Sequence, residues 1–238
     1  MSVNDAIILA AGKGSRMKKN NKDLIKPLVE VDDKLLIGYT IEALRNAGVE
    51  NIHVIESVNE SMRMLSALYK DVNFKFYTHD NNNAALVALK LLEKKIKDNF
   101  ILADCDIVGE VSELTRMIGD NVGRMNSLDG LVAASINPTF VNNRYLEIDG
   151  DRVVGFDKSG NSNNMHGGFM YMFNPVFYEY LNSNMGYNDM ANILDGYFRN
   201  YSVGAMIVDD IWDIDEESEI RESESLLKVK RLNKNVIN

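Results

Sequence analysis

A single cysteine, three prolines and three histidines in 238 residues leave several chemistries without material. With Cys105 alone there is no intrachain disulfide and no thiolate cluster for zinc, a usage that fits a reducing compartment, so a cytoplasmic protein is expected. Surplus positive charge is lacking too. A formal charge of −9 argues against nucleic acid or an anionic membrane as a general partner, because those surfaces are met by clustered Lys and Arg. Long apolar runs are also missing. The run at residues 6–11 has no basic segment ahead of it, and no later stretch approaches the ~18 residues of a membrane span, so neither an export signal nor a membrane anchor is expected. Repeats and low-complexity linkers are absent as well, and one domain over residues 1–238 is the expectation.

What is present is a rhythm. Short runs rich in Ile and Val, "AIILAA" at 6, "NIHVIES" at 51, "NFKFYT" at 73, "NFILADCD" at 99 and "GLVAAS" at 130, read as strands. Between them, residues 36–48 place Ile37, Ile41, Leu44 and Ala47 on one helical face and end at Gly48, a natural C-cap. Residues 83–96 repeat the pattern with Leu86, Leu89, Leu92 and Ile96. Alternation of strand and helix predicts a doubly wound α/β fold around a mostly parallel sheet. After about residue 140 the pattern changes. "RYLEIDGDRVVGFDK" alternates around Asp149 and Gly150, a hairpin signal, and "GGFMYMF" at 167 reads as a further strand, so a small antiparallel insertion is expected. A C-terminal amphipathic helix follows from Ile220, Leu226, Leu227 and Val229.

Charge is unevenly spread. Lys13, Arg16, Lys18, Lys19, Lys22 and Lys26 face only Asp23 across residues 13–26, a local +5 on an acidic chain, which points to a small anionic ligand. This loop follows the first strand and contains Gly12 and Gly14. A dinucleotide-binding G-x-G-x-x-G would need glycine at Met17, and a Walker A loop would need G-K-[ST] after an earlier glycine; neither is present. What remains is a strand and a basic loop, in which glycines let backbone N–H groups approach an anion and Arg16 can grip phosphate oxygens in a bidentate manner.

Leu9, Ala10, Ala11, Gly12, Gly14, Ser15, Arg16 and Met17, followed by Lys26, Pro27 and Leu28, resemble the signature L-A-A/G-G-x-G-[ST]-R-[ML] … P-K-P-L of the sugar-phosphate nucleotidyltransferases; Ile25 stands where that family usually has proline. The resemblance runs through nearly the whole chain, and in compactness it is nearest to archaeal-type sugar- or inositol-phosphate transferases, cytidylyltransferases included. It implies a Rossmann-like nucleotidyltransferase fold and the joining of an NTP to a phosphorylated sugar or polyol, with release of pyrophosphate. Carried over residue by residue, it implies base recognition by Leu9, Ala10 and Ala11 and by "HDNNNAALVAL", where Asn82, Asn83 and Ala85 occupy the family's G-T/N-A-x-[AS]-L segment. Lys158, in "GFDKSG", resembles the lysine that holds the acceptor's phosphate, and fits equally as an exposed hairpin lysine.

Two acidic clusters complete the picture. Asp104 and Asp106 end an apolar strand, two residues apart and so pointing to one side, at the edge where open α/β sheets bind ligands. The resemblance places a metal-holding aspartate at Asp106, and maps a second onto Asp213 in "IWDIDEE", with Asp215 behind it. Hard carboxylates and a triphosphate substrate favour Mg²⁺. Asp104 and Asp215 are also placed to cap helices, Asp215 with Glu217 or Ser218 nearby. In the implied reaction a substrate phosphate oxygen, already anionic, attacks the α-phosphorus in line, so no general base is needed and charge neutralisation by metal, Arg16 and Lys26 carries the catalysis. His79 and His166 then have only local hydrogen-bonding roles. Phe169, Tyr171, Phe173, Phe177, Tyr178 and Tyr180 read as core, with Gly167 and Gly168 permitting close approach to a substrate.

Two further readings stay open at this level. Asp104-Cys105-Asp106 also reads as the D-x-D of a nucleotide-sugar glycosyltransferase, although such an enzyme has no need of "GKGSRM" to cradle a triphosphate. A non-catalytic nucleotide sensor would keep the same fold. The base, the acceptor and the choice between monomer and homo-oligomer are left open by the residues alone.

Overall fold

The computed structural model describes residues 3–12, 17, 24–57, 60–78, 84–135, 145–157, 165–184 and 189–237. Its centre is a nine-stranded sheet built from β1 (Asp5–Ala10), β2 (Asn51–Glu56), β3 (Asn73–Thr78), β4 (Phe100–Asp104), β5 (Gly130–Ser135), β6 (Tyr145–Asp149), β7 (Arg152–Asp157), β8 (His166–Phe173) and β9 (Val203–Val208). The spatial order is β3-β2-β1-β4-β8-β5-β9-β7-β6. The first four strands are parallel neighbours, as the alternating pattern predicts. The sheet as a whole is mixed, which corrects the expectation of a mostly parallel one. β8 runs antiparallel to both β4 and β5, so the strand expected in a small insertion lies in the middle of the sheet, while β5 and β9 pair in parallel beyond it. All eight residues of β8 are buried, and a strand covered on both faces shows the same apolar run whichever way it points. The expected hairpin is present as β6 and β7, with Gly150 at φ +63° in its turn.

Helices cover both faces. α1 (Leu36–Asn46) and α3 (Val111–Asn121) pack through Ile37, Ile41, Leu44, Leu114, Met117 and Ile118 against one set of alternate strand residues, including Ile8, Ile101 and Met172. α2 (Ala84–Leu92), α4 (Val176–Ser183) and α5 (Met190–Asn200) pack on the other set, including Ile7, Leu102 and Phe173. The period of two in the strands thus sorts side chains into two cores. α1 stops where expected: Gly48 takes φ +91°, its N–H donates to the Arg45 carbonyl, and the Val49 N–H donates to the Leu44 carbonyl, the paired bonds of a Schellman end. The six aromatics from Phe169 to Tyr180 are buried, as expected of core, with Phe173 and Phe177 stacked at 4.1 Å between ring centroids.

Gly167 and Gly168 serve the fold itself. A Cβ on Gly167 would lie 2.4 Å from Leu146 Cδ1 and 2.7 Å from the Ala133 carbonyl oxygen, and Gly168 adopts φ +93° at an irregularity in the β8–β5 pairing. A last helix, α6 (Glu217–Ile237), closes the chain. Leu227 is fully buried on it and Ile220 and Leu226 partly so, whereas Val229 is 52% exposed and lies off the apolar side expected of it. Among the described residues no helix is long and apolar enough to cross a membrane.

Candidate active site

β1 and β4 lie side by side with Leu9 opposite Asp104, so the glycine-containing loop and the turn after β4 leave the same edge of the sheet. Here the chain bends at Cys105 and enters a two-residue strand, Ile107–Val108, which pairs antiparallel with Trp212–Asp213. That pairing sets Asp213 opposite Ile107, and the Ile214 N–H donates to the Asp106 carbonyl at 3.0 Å. Two segments more than 100 residues apart in sequence are thereby stitched together by backbone bonds, and their carboxylates converge. One oxygen each from Asp106, Asp213 and Asp215 lies within 4.8 Å of the others.

Lys26 enters from a third segment. Pro27, in the first turn of the 3₁₀ helix Lys26–Leu28, pre-sets the backbone there, and the lysine side chain is buried to 9% exposure. Its Nζ donates to Asp106 Oδ2 at 2.7 Å and to Asp215 Oδ1 at 2.8 Å. Burial works to lower the lysine pKa, but the charges and hydrogen bonds of Asp106 and Asp215 together outweigh it and hold the ammonium above the ordinary lysine range. Lys26 is therefore a fixed cation at neutral pH. Among the described residues, three carboxylates stand against one ammonium here, a set of hard oxygen donors that fits a divalent metal ion.

Asp104 stands apart from the triad. Asp104 ends β4, the chain bends at Cys105, and the three carboxylates whose oxygens lie within 4.8 Å of one another do not include it. The Asp104 carbonyl accepts from Thr40 Oγ1 of α1 at 3.1 Å, a part-buried tie that the sequence did not announce. Asp215 joins the triad beside Asp213. The start of α6 is closed by Glu219, whose Oε2 accepts from the N–H groups of Asp215 at 2.5 Å and Glu216 at 2.7 Å. The signal for this was the three-residue spacing from Glu216 to Glu219, that of a capping box, rather than Glu217 or Ser218. Cys105 is buried, and burial first, then the charges of Asp106 and Asp104, push its thiol well above the ordinary value, so it acts as an apolar filler and not a nucleophile.

Leu9 and Ala10 end β1, and Ala11 follows it into Gly12, at the same edge as the triad. Ala85 lies in the first turn of α2. Gly14, Ser15, Arg16, Asn82, Asn83 and Lys158 lie outside the described residues, as does His79. His166 is buried in β8.

Over a short stretch of 51 residues the chain is 51% identical to the CTP:phosphoglutamine cytidylyltransferase of Campylobacter jejuni, covering 21% of this chain and 20% of that one. It is 28% identical to the UTP–glucose-1-phosphate uridylyltransferase of Haloferax volcanii over 51% of this chain and 45% of that one. These matches thus span from a fifth to less than half of the relatives' lengths. Among solved structures, the inositol-1-phosphate CTP transferase from T. maritima superposes with a TM-score of 0.75 over 94% of this chain and 96% of that one at 18% identity, a likeness of fold. The model of the MobA-like NTP transferase domain matches residues 6–128, the stretch that runs from β1 through Lys26 and Asp106 to the end of the first α/β half. Since that stretch is just over half of the chain, the protein belongs to the MobA-like NTP transferase family.

Proposed function

We propose that the protein is a metal-dependent nucleotidyltransferase that joins an NTP to a phosphorylated sugar or polyol and releases pyrophosphate. The observation that carries this reading is the meeting of Lys26 with Asp106, Asp213 and Asp215 at the sheet edge where the glycine loop begins. Two anions must be brought together for the reaction, and unit charges at ~4 Å repel by ~4 kcal/mol at an effective dielectric near 20. A divalent cation such as Mg²⁺, held by Asp106, Asp213 and Asp215, would supply neutralisation of the triphosphate and polarisation of its α-phosphorus. The chain's own part is positional. Gly12, Gly14, Ser15 and Arg16 cradle and grip phosphate oxygens, and Lys26 supplies a fixed ammonium to the reacting phosphate. Gly12 supports this: it has no positive φ, and among the described residues a Cβ there would meet nothing within 4 Å, so their packing does not require glycine at this position. Leu9, Ala10, Ala11, Asn82, Asn83 and Ala85 are assigned to the base, Lys158 to the acceptor's phosphate, and Asp104 to support of the edge rather than direct ligation.

A second, narrower reading is a cytidylyltransferase acting on a small phosphorylated acceptor such as inositol phosphate or a phosphocholine-like alcohol. It is favoured by the 51% identity over 51 residues to a CTP-using relative. A thermal-shift series with the four NTPs and Mg²⁺ separates the two: a bound NTP at 100 times its dissociation constant stabilises by ~2.7 kcal/mol. The narrower reading expects CTP to give the largest shift. A largest shift with UTP or another NTP removes it, and no shift with any NTP contradicts both readings.

A further inference from the structure

The three segments that meet at the site are far apart in sequence, and each continues directly into a piece that α6 touches. Lys26 precedes a turn between Glu30–Val31 and Lys34–Leu35; Asp106 precedes α3; Asp213 and Asp215 precede α6 itself. Leu227 of α6 is fully buried in a small core with Met17, Val31, Tyr39, Val108, Trp212 and Ile214, which is drawn from the same three segments and the glycine loop.

Around that core α6 makes ionic ties to each piece. Arg231 Nη1 lies 2.6 Å from Asp32 Oδ2, and its Nε lies 3.6 Å from Glu110 Oε1 at the start of α3. Glu224 Oε1 accepts from the Asp32 N–H at 3.0 Å, and Asp32 has φ +51°, a conformation that a non-glycine residue keeps only where its surroundings impose it. Lys230 Nζ reaches Asp210 Oδ2 at 2.5 Å and Glu113 Oε2 of α3 at 3.3 Å, and sits 5.8 Å from the centre of the Trp212 ring. Trp212 is the residue before Asp213 and pairs with Val108, two residues after Asp106.

We propose that Lys230 is a positioning residue for the metal triad: by tying Asp210 to Glu113 across Trp212, it fixes the spacing between the strand that carries Asp213 and the strand that follows Asp106. The proposal rests on the metal-dependent reading above. Partners that orient metal ligands from behind typically change metal affinity 10–100-fold when they are lost.

Mn²⁺ binding, read from the loss of the free-ion signal in electron paramagnetic resonance, tests this without any turnover. Lys230→Met is expected to weaken Mn²⁺ binding ~10-fold or more, Lys230→Arg to restore most of it, and Arg199→Met, which removes a comparable surface ion pair on α5, to leave it unchanged. Glu113→Gln loosens the same tie from α3 and is expected to weaken binding in the same direction. Wild-type affinity in folded Lys230→Met, or in Glu113→Gln where Lys230→Met does not fold, overturns the proposal alone. A wild-type protein that binds no Mn²⁺ overturns the metal reading and the proposal together.

Discussion

At the scale of single residues, Asp106 and Asp104 separate two accounts of the acidic strand end. Asp106 is bound to Lys26 and belongs to the triad, while Asp104 is held through its backbone and lies outside it. Asp106→Asn is expected to lower kcat/KM ~10²-fold or more, the scale of losing a key electrostatic stabiliser, and Asp104→Asn to cost far less. Steady-state kinetics on both variants checks this. Asp106 and Lys26 were legible because each sits in a recognisable motif, whereas the separation of Asp104 from Asp106 was not: it depends on a bend at Cys105 that no residue in that segment signals. His53 offers a test of a different kind. It is buried between Asp5 at 3.0 Å and the Tyr77 hydroxyl at 3.1 Å, and burial lowers its pKa from 6.5 despite Asp5. A folded value below the unfolded one means that the unfolded chain takes up the proton first. Stability from this group is therefore present above pH 6.5 and is lost as pH falls through the folded value. Melting temperatures are expected to drop more steeply from about pH 7 to about pH 5 in the wild type than in His53→Gln.

At the scale of elements, the turn chemistry of α1 and of the β6–β7 hairpin was written locally, in Gly48 and in Asp149-Gly150, and both form where expected. β8 was legible as a strand but not as an antiparallel one in mid-sheet, since a buried strand advertises burial and not direction. Its two glycines illustrate the same gap. They read as room for a substrate, yet Gly167 admits Leu146 and a carbonyl, and Gly168 holds a left-handed backbone with the Tyr171 hydroxyl donating to its carbonyl at 2.6 Å. Gly168→Ala would impose φ +93° on an L residue and bring its Cβ to 2.9 Å from that hydroxyl. A loss of ~1–3 kcal/mol of stability is expected, measured by denaturant unfolding, the usual cost of a side chain held in such a region. α6 was visible as an amphipathic helix, but its ties to Asp32, Glu110, Glu113 and Asp210 were not, because they join residues more than 100 positions apart except at Asp210.

At the scale of the molecule, an acidic chain gathers a buried lysine and three aspartates at one edge of its sheet, the edge where parallel strands end and where β1 leads into Gly12. Family membership follows from the match over residues 6–128, and the superposition on an inositol-1-phosphate CTP transferase extends the likeness of fold over 94% of the chain. The central claim is where the bond breaks, and labelled substrate reads that directly. The protein is incubated with Mg²⁺, a panel of phosphorylated sugars and polyols, and each NTP labelled with ³²P at either the α or the γ position. The account predicts that one NTP transfers its α label to an acceptor-linked product while the γ label leaves in pyrophosphate, both lost in Asp106→Asn. Appearance of the γ label on an acceptor or as inorganic phosphate, or an intact NTP with every acceptor in a folded protein that binds NTP and Mg²⁺, would contradict it.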